Sequence, residues 1–342
     1  TPFIEIIQDQ DDSSAVNQGL KGEFTNLSEV GSFDTSGNAQ AITVAGTTAY
    51  VADGGGGLRG LNVSNLSSIT ELGAYGAATD AKSIAIPDNV AYLANGEAGL
   101  LVLDITDPAA ITELGSFDTA GDAKAVVIQG ATAYVADGTN GLLLLDVSDP
   151  ANITQISQFV STPTGDSQSI AIAGTKAYLA NGTQGLHVLN IEDPAAIAEL
   201  GSFTAFGNAT SVAIRDTTAY VTDASYGLRV LDITDHGAIT EQGSFDTTGS
   251  ANSVSIQGVI AYVADGTGGL RALDVSDPTA IIELDSFSTS DQANFVLADS
   301  DRVYVADGTA GVRILDDGRS EFDPPQNIYV VGEVLNENGD LV

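Results

Sequence analysis

Carboxylates recur along this chain in two patterns that could hold a cation. In the first, an Asp or Asn opens each glycine-containing turn, at Asp53, Asn95, Asp137, Asn181, Asp223, Asp265 and Asp307. Asp80, Asp122 and Asp166 precede short apolar runs in neighbouring stretches. Gathered on one face, these groups would offer a ring of oxygens to Ca²⁺, which takes about six to eight such ligands. The candidate ligands are Asp53, Asp137, Asp223, Asp265 and Asp307. The competing role is local: Asp and Asn bond their own backbone and so shape turns. Repetition favours that role, since folding needs every turn whereas a site needs only some.

The second pattern sets two carboxylates three residues apart, as in Asp104 with Asp107, Asp146 with Asp149, Asp232 with Asp235 and Asp274 with Asp277. Such a pair could bind a cation or divide acid and base roles. Elsewhere the same positions hold Asn62 with Asn65, or Asn190 with Asp193. Asn suits a turn but not proton transfer, and the spacing lacks the acidic pattern of an EF-hand loop. A structural role follows. Cysteine is absent, which removes thiolate metal sites and disulfides. Of the two histidines, His187 takes a strand position that holds Arg or Leu elsewhere, and His236 replaces a turn proline. With no evident companion for either, a nucleophile relay through histidine is not expected.

Positioning all of these is a repeat. Tyr50, Tyr92, Tyr134, Tyr178, Tyr220, Tyr262 and Tyr304 follow one another at intervals of 42 residues, once 44. In the third copy the turn chemistry delimits strands at Ala123–Gln129, Thr132–Ala136 and Gly141–Val147, with a fourth ending at Phe159. Four antiparallel strands in about 40 to 45 residues make a propeller blade. The first strands alternate large aliphatics with Ala, Ser or Thr, as in AKAVVIQG, which suits sheets buried on both faces. The expected fold is therefore all-β, a seven-bladed β-propeller over 24–317. The seventh copy stops after its third strand, and an orphan strand at about 27–33 would pair there and close the ring, removing an exposed edge.

A symmetric scaffold makes a site by breaking its symmetry. One position at the start of each first strand reads Gln40, Lys82, Lys124, Gln168, Thr210, Asn252 and Asn294, all expected to point toward the channel mouth as ligand-binding residues. Lys82 and Lys124 could receive an anion or neutralise nearby aspartates. With Asp80, Asp122 and Asp166 they form the one acid–base set available to an enzyme with an axial channel site. Two further candidates are the insertion around Thr162, Pro163 and Thr164, and Tyr226, whose ring could stack on a sugar or peptide.

The run GLLLLDVSDP, with its relatives GLLVLDITDP, GLRVLDITDH and GLRALDVSDP, resembles the LVIVD-repeat family of β-propellers across about 27–317. The resemblance implies a secreted or cell-surface protein engaged in binding, and it carries no catalytic residues to transfer. Net charge points the same way. With 46 acidic against 11 basic residues, the net of −35 disfavours nucleic acid and anionic membranes and favours cations, basic partners or a salty medium. No apolar run approaches the roughly 18 to 20 residues that span a bilayer.

Residues 1–23 read as a polar N-terminal extension, and 318–342 as a linker followed by the strand NIYVVGEVL. That strand reads as the start of a further domain, or else as a self-assembly strand that pairs with another subunit. The absence of Met, even at position 1, reads as a mature form, an excised domain or a fragment. The leading functional expectation is a non-enzymatic adhesion or protein-interaction module at the cell surface, taking a protein or glycan ligand on the propeller face. A Ca²⁺-dependent or carbohydrate-binding propeller is the alternative, and an enzyme with an axial site is the third.

Overall fold

The computed structural model describes residues 26–204, 207–300 and 302–319. Apolar residues run almost without a break along second and third strands such as Val90–Ala94 and Leu142–Asp146, so these strands bury side chains on both faces and must lie between two sheets. In the first blade, β2 (Ala41–Ala45), β3 (Thr48–Ala52), β4 (Leu58–Asn62) and β5 (Thr70–Tyr75) pair in chain order. Among the described residues seven such four-stranded sheets form, which is the expected seven-bladed β-propeller. Gly57, at the start of β4, has a φ of 80°, and a Cβ there would collide with the Tyr75 carbonyl. Only glycine meets both demands.

The core lies between blades. Tyr50, Ala52 and Leu58 of the first blade pack with Ala91, Leu93 and Leu103 of the second, and each recurring tyrosine is buried at such a junction. A second junction lies at the rim. After the third strand of the third blade, the Asp149 carboxylate accepts from Ala151 N at 3.1 Å and caps the 3-10 turn Pro150–Asn152. That turn lies on the fourth strand of the second blade, where Gly115 leaves no room for a Cβ beside the Pro150 carbonyl. Asp146, the other member of the pair, accepts from Ser148 N at 2.9 Å. Donation from Ser148 holds the Asp146 carboxyl below its ordinary value. Both carboxylates are therefore part of the turn.

The ring closes through the N-terminus. β1 (Ser28–Phe33) runs antiparallel to Val312–Asp316, from the pair Ser28 with Asp316 to the pair Phe33 with Val312, with a bulge between Glu29 and Gly31. Boundaries in the third blade differ from expectation, the third strand spanning Leu142–Asp146. In the third blade the first strand spans Ala125–Gln129, because Ala123 instead exchanges hydrogen bonds with Gly96 of the previous blade. The N-terminal extension and the strand expected within 318–342 lie outside the described residues, apart from Gly318 and Arg319. Among the described residues no helix is long and apolar enough to cross a membrane.

Candidate functional site: the axial mouth

The first strands of adjacent blades lie side by side around the axis, and their polar starting residues converge there. All seven, Gln40, Lys82, Lys124, Gln168, Thr210, Asn252 and Asn294, line one cavity of about 660 Å³. One residue further along, Ser83, Ser169, Ser211 and Ser253 add hydroxyl-bearing side chains, and Phe295 stands at the same position of the last blade. Sequence reading did not single out Phe295. The signal was present, because its column otherwise holds Ala41, Ser83, Ala125, Ser169, Ser211 and Ser253.

Most of the polar ring also ties each blade to the next. Thr210 Oγ1 donates to Ala251 O at 2.6 Å, Asn252 Nδ2 to Ala293 O at 3.1 Å, and Asn294 Nδ2 to Ala39 O at 2.9 Å. Each acceptor leads into the first strand of the following blade. In the second and third blades the same clasp is ionic: Lys82 Nζ lies 2.5 Å from Asp122, and Lys124 Nζ lies 2.7 Å from Asp166. Lys82 also reaches Asp80 at 3.2 Å, and Lys124 lies 3.9 Å from Asp122. The result is an alternating row of charges, Asp80, Lys82, Asp122, Lys124, Asp166, along one side of the mouth. Burial pulls the Lys82 ammonium down, but hydrogen bonds and charge from Asp122 and Asp80 outweigh it and leave it above its ordinary value. A lysine held charged in this way supplies no free amine for base or nucleophile chemistry at neutral pH. Gln168 Nε2 donates to Asp166 at 2.6 Å. The Gln40 amide makes no hydrogen bond with a described residue.

The aspartates expected to ring the pore need correction. Asp53, Asp137, Asp223, Asp265 and Asp307 are each 0% exposed, and each lies within its own blade. Their partners explain the burial. Thr35, Thr119 and Thr247 donate to Asp53, Asp137 and Asp265 at 2.5 to 2.6 Å. Asp223 accepts from Gly207 N and Ser225 N, and Asp307 from Ser290 N and Asp291 N. These donors sit on the segment arriving from the previous blade or in the turn itself, so the carboxylates stitch turns and do not face the pore. Among the described residues no three His, Asp or Glu side chains gather as a metal site.

Tyr226 stands apart from the axial cavity. It is half exposed on the hairpin before the third strand, outside the cavity lining, with the Arg229 guanidinium 5.3 Å from its ring centre. The insertion at Thr162 to Thr164 stays exposed, anchored on either side by Gly165 and by the buried Ser161, whose hydroxyl accepts from Gly165 N and Asn181 Nδ2. Both histidines have companions that the sequence did not reveal: Glu199 lies 2.9 Å from His187 Nδ1, and the Tyr178 hydroxyl 3.3 Å from His236 Nε2. Neither histidine lines the axial cavity.

Comparison with known proteins agrees with this geometry. A search of curated proteins finds no match. Among solved structures, the computationally designed Ika8 protein is similar at 9% identity and a TM-score of 0.62, covering 84% of this chain and 99% of its own. The β-propeller domain of Cps50 (Swd1) from Myceliophteria thermophila is similar at 10% identity and a TM-score of 0.66, covering 85% of this chain and 99% of its own. At such identities the likeness is one of fold. The LVIVD repeat profile matches six segments, 36–77, 78–119, 120–160, 164–205, 206–247 and 248–289. They correspond to the first six blades; the seventh takes its fourth strand from the other end of the chain. With matched repeats over most of its length, the chain belongs to the LVIVD-repeat family.

Proposed function

We propose that the propeller is a non-catalytic recognition module, carried on the outside of a cell or secreted, whose ligand meets the axial mouth. The observation that carries this reading is the cavity of about 660 Å³ on which seven non-equivalent polar residues converge from seven separate blades. A closed ring of sheets holds those groups with little freedom, and preorganisation of this kind lowers the cost of binding. The surface around it repels anionic partners over several ångströms and draws cationic ones, which suits adhesion in a salty medium.

The test fills the mouth. Fluorescently labelled full-length protein is expected to adhere to intact cells, and Gln40→Trp, which places an indole in the cavity without breaking a clasp, is expected to abolish adhesion. The variant should melt as the parent does. Equal adhesion by both proteins would reject the axial mouth as the binding surface.

A further inference from the structure

The axial cavity has two unlike sides. Along the second to fourth blades its rim is the charged row from Asp80 to Asp166, whose two lysines are each paired with two of its three carboxylates. Across the last and first blades the lining carries no charge. Here stand Phe295, the only aromatic side chain on the cavity among the described residues, and the glutamines Gln40 and Gln292. Neither glutamine amide makes a hydrogen bond with a described residue. By contrast, the amide nitrogens of Asn252, Asn294 and Gln168 are committed, to Ala293, Ala39 and Asp166.

A primary amide offers two donors and an acceptor with two lone pairs. Two uncommitted amides therefore match groups that both give and take hydrogen bonds, which is the character of sugar hydroxyls. An aromatic face is negative and attracts polarised C–H edges, which a pyranose ring presents on one side. A cation would favour the charged row, and an anion would meet its aspartates. The cavity is a pit at the axis, which suits a ring better than an extended strand.

We propose that the Phe295, Gln40 and Gln292 side of the cavity binds a neutral carbohydrate, the sugar ring lying on Phe295 with its hydroxyls on the two amides. This inference rests on the recognition reading above and specifies its ligand. It also assigns the two sides different work: the charged row holds blades together, and the neutral side selects the ligand.

The probe is an array of neutral hexose oligosaccharides beside sialylated and sulfated ones, followed by calorimetric titration of the best binder against the full chain. Because Phe295 also packs against the core around Ile42 and Tyr50, Phe295→Leu is the useful variant: it keeps bulk and removes the ring. Phe295→Leu and Gln40→Ala should each weaken binding on the order of tenfold, as expected for losing a stacking surface or a hydrogen bond. Tyr226→Ala should bind as the parent does. Affinity should hold between low and high salt, since no charge is engaged. A neutral glycan bound equally by parent, Phe295→Leu and Gln40→Ala would overturn the assignment. So would binding confined to anionic glycans or to peptides and weakened by salt. If no glycan binds while Gln40→Trp still abolishes cell adhesion, the carbohydrate assignment falls and the recognition reading stands. If Gln40→Trp has no effect on adhesion either, both fall.

Discussion

The buried turn of the sixth blade and that of the third carry the same aspartate in different company. In the sixth, Arg271 Nε lies 2.7 Å from Asp265, and its other end reaches Glu283 at 2.9 Å. Arg59 and Arg313 do the same for Asp53 and Asp307. In the third blade the strand position is Leu143, and Asp137 relies on Thr119 and on Asn140 Nδ2 at 3.1 Å. Burial pushes the Asp137 carboxyl above its ordinary value, and the charges of Asp122 and Asp118 add to the effect. The second blade shows the consistent alternative, with Leu101 beside Asn95. The lesson is that acid and base are matched blade by blade: an arginine permits a buried aspartate, and a leucine is better served by asparagine. The third blade breaks that match.

The largest effect should come from imposing the mismatch on a matched blade. Arg271→Leu leaves Asp265 buried without its cation, and such a loss costs about 3–5 kcal/mol. Adding Asp265→Asn should recover most of it by recreating the second blade's pair. Urea unfolding of the two variants measures this, and an unrecovered loss would mean that Arg271 acts through packing alone. The reverse experiment is Asp137→Asn. A carboxyl whose folded pKa is raised gives stability at low pH that is lost as pH rises through that pKa. The substitution should therefore raise the melting temperature by a few degrees at pH 7, with the gain vanishing toward pH 3. An equal gain at both pH values would place its origin outside the ionisation.

The smallest effects should separate the two kinds of clasp at the mouth. Asn252→Ala removes a hydrogen bond to a backbone carbonyl and should cost about 1 kcal/mol at any salt concentration. Lys124→Met removes a partly exposed ion pair and should cost under about 1 kcal/mol, falling toward zero in 1 M salt. If Lys124→Met were the costlier and insensitive to salt, the charged row would be a rigid part of the frame.

How much of this could be read from residues alone follows from distance along the chain. The recurring tyrosine marks blades because its burial is imposed by a local pattern repeated at each junction. Closure by β1 was legible because a missing strand at one end matched a spare one at the other. The direction of a turn aspartate was not: Asp53 and Asp137 look alike in sequence, and what distinguishes them is Arg59 or Leu143 across the hairpin. The clasps were equally hidden, since Asn294 finds its partner at Ala39 only after the ring has closed. Phe295 was visible as an odd residue in its column, but its place on the cavity required the seven first strands to be set around one axis.

The register of the closing strand also has a mechanical consequence. The chain enters the ring at Ser28 and leaves it at Asp316, which are paired neighbours at the same end of one antiparallel ladder. Tension between those two points would act along the inter-strand hydrogen bonds, which run perpendicular to the strands. The ladder would then open like a zip, one pair at a time, from Ser28 with Asp316 toward Phe33 with Val312.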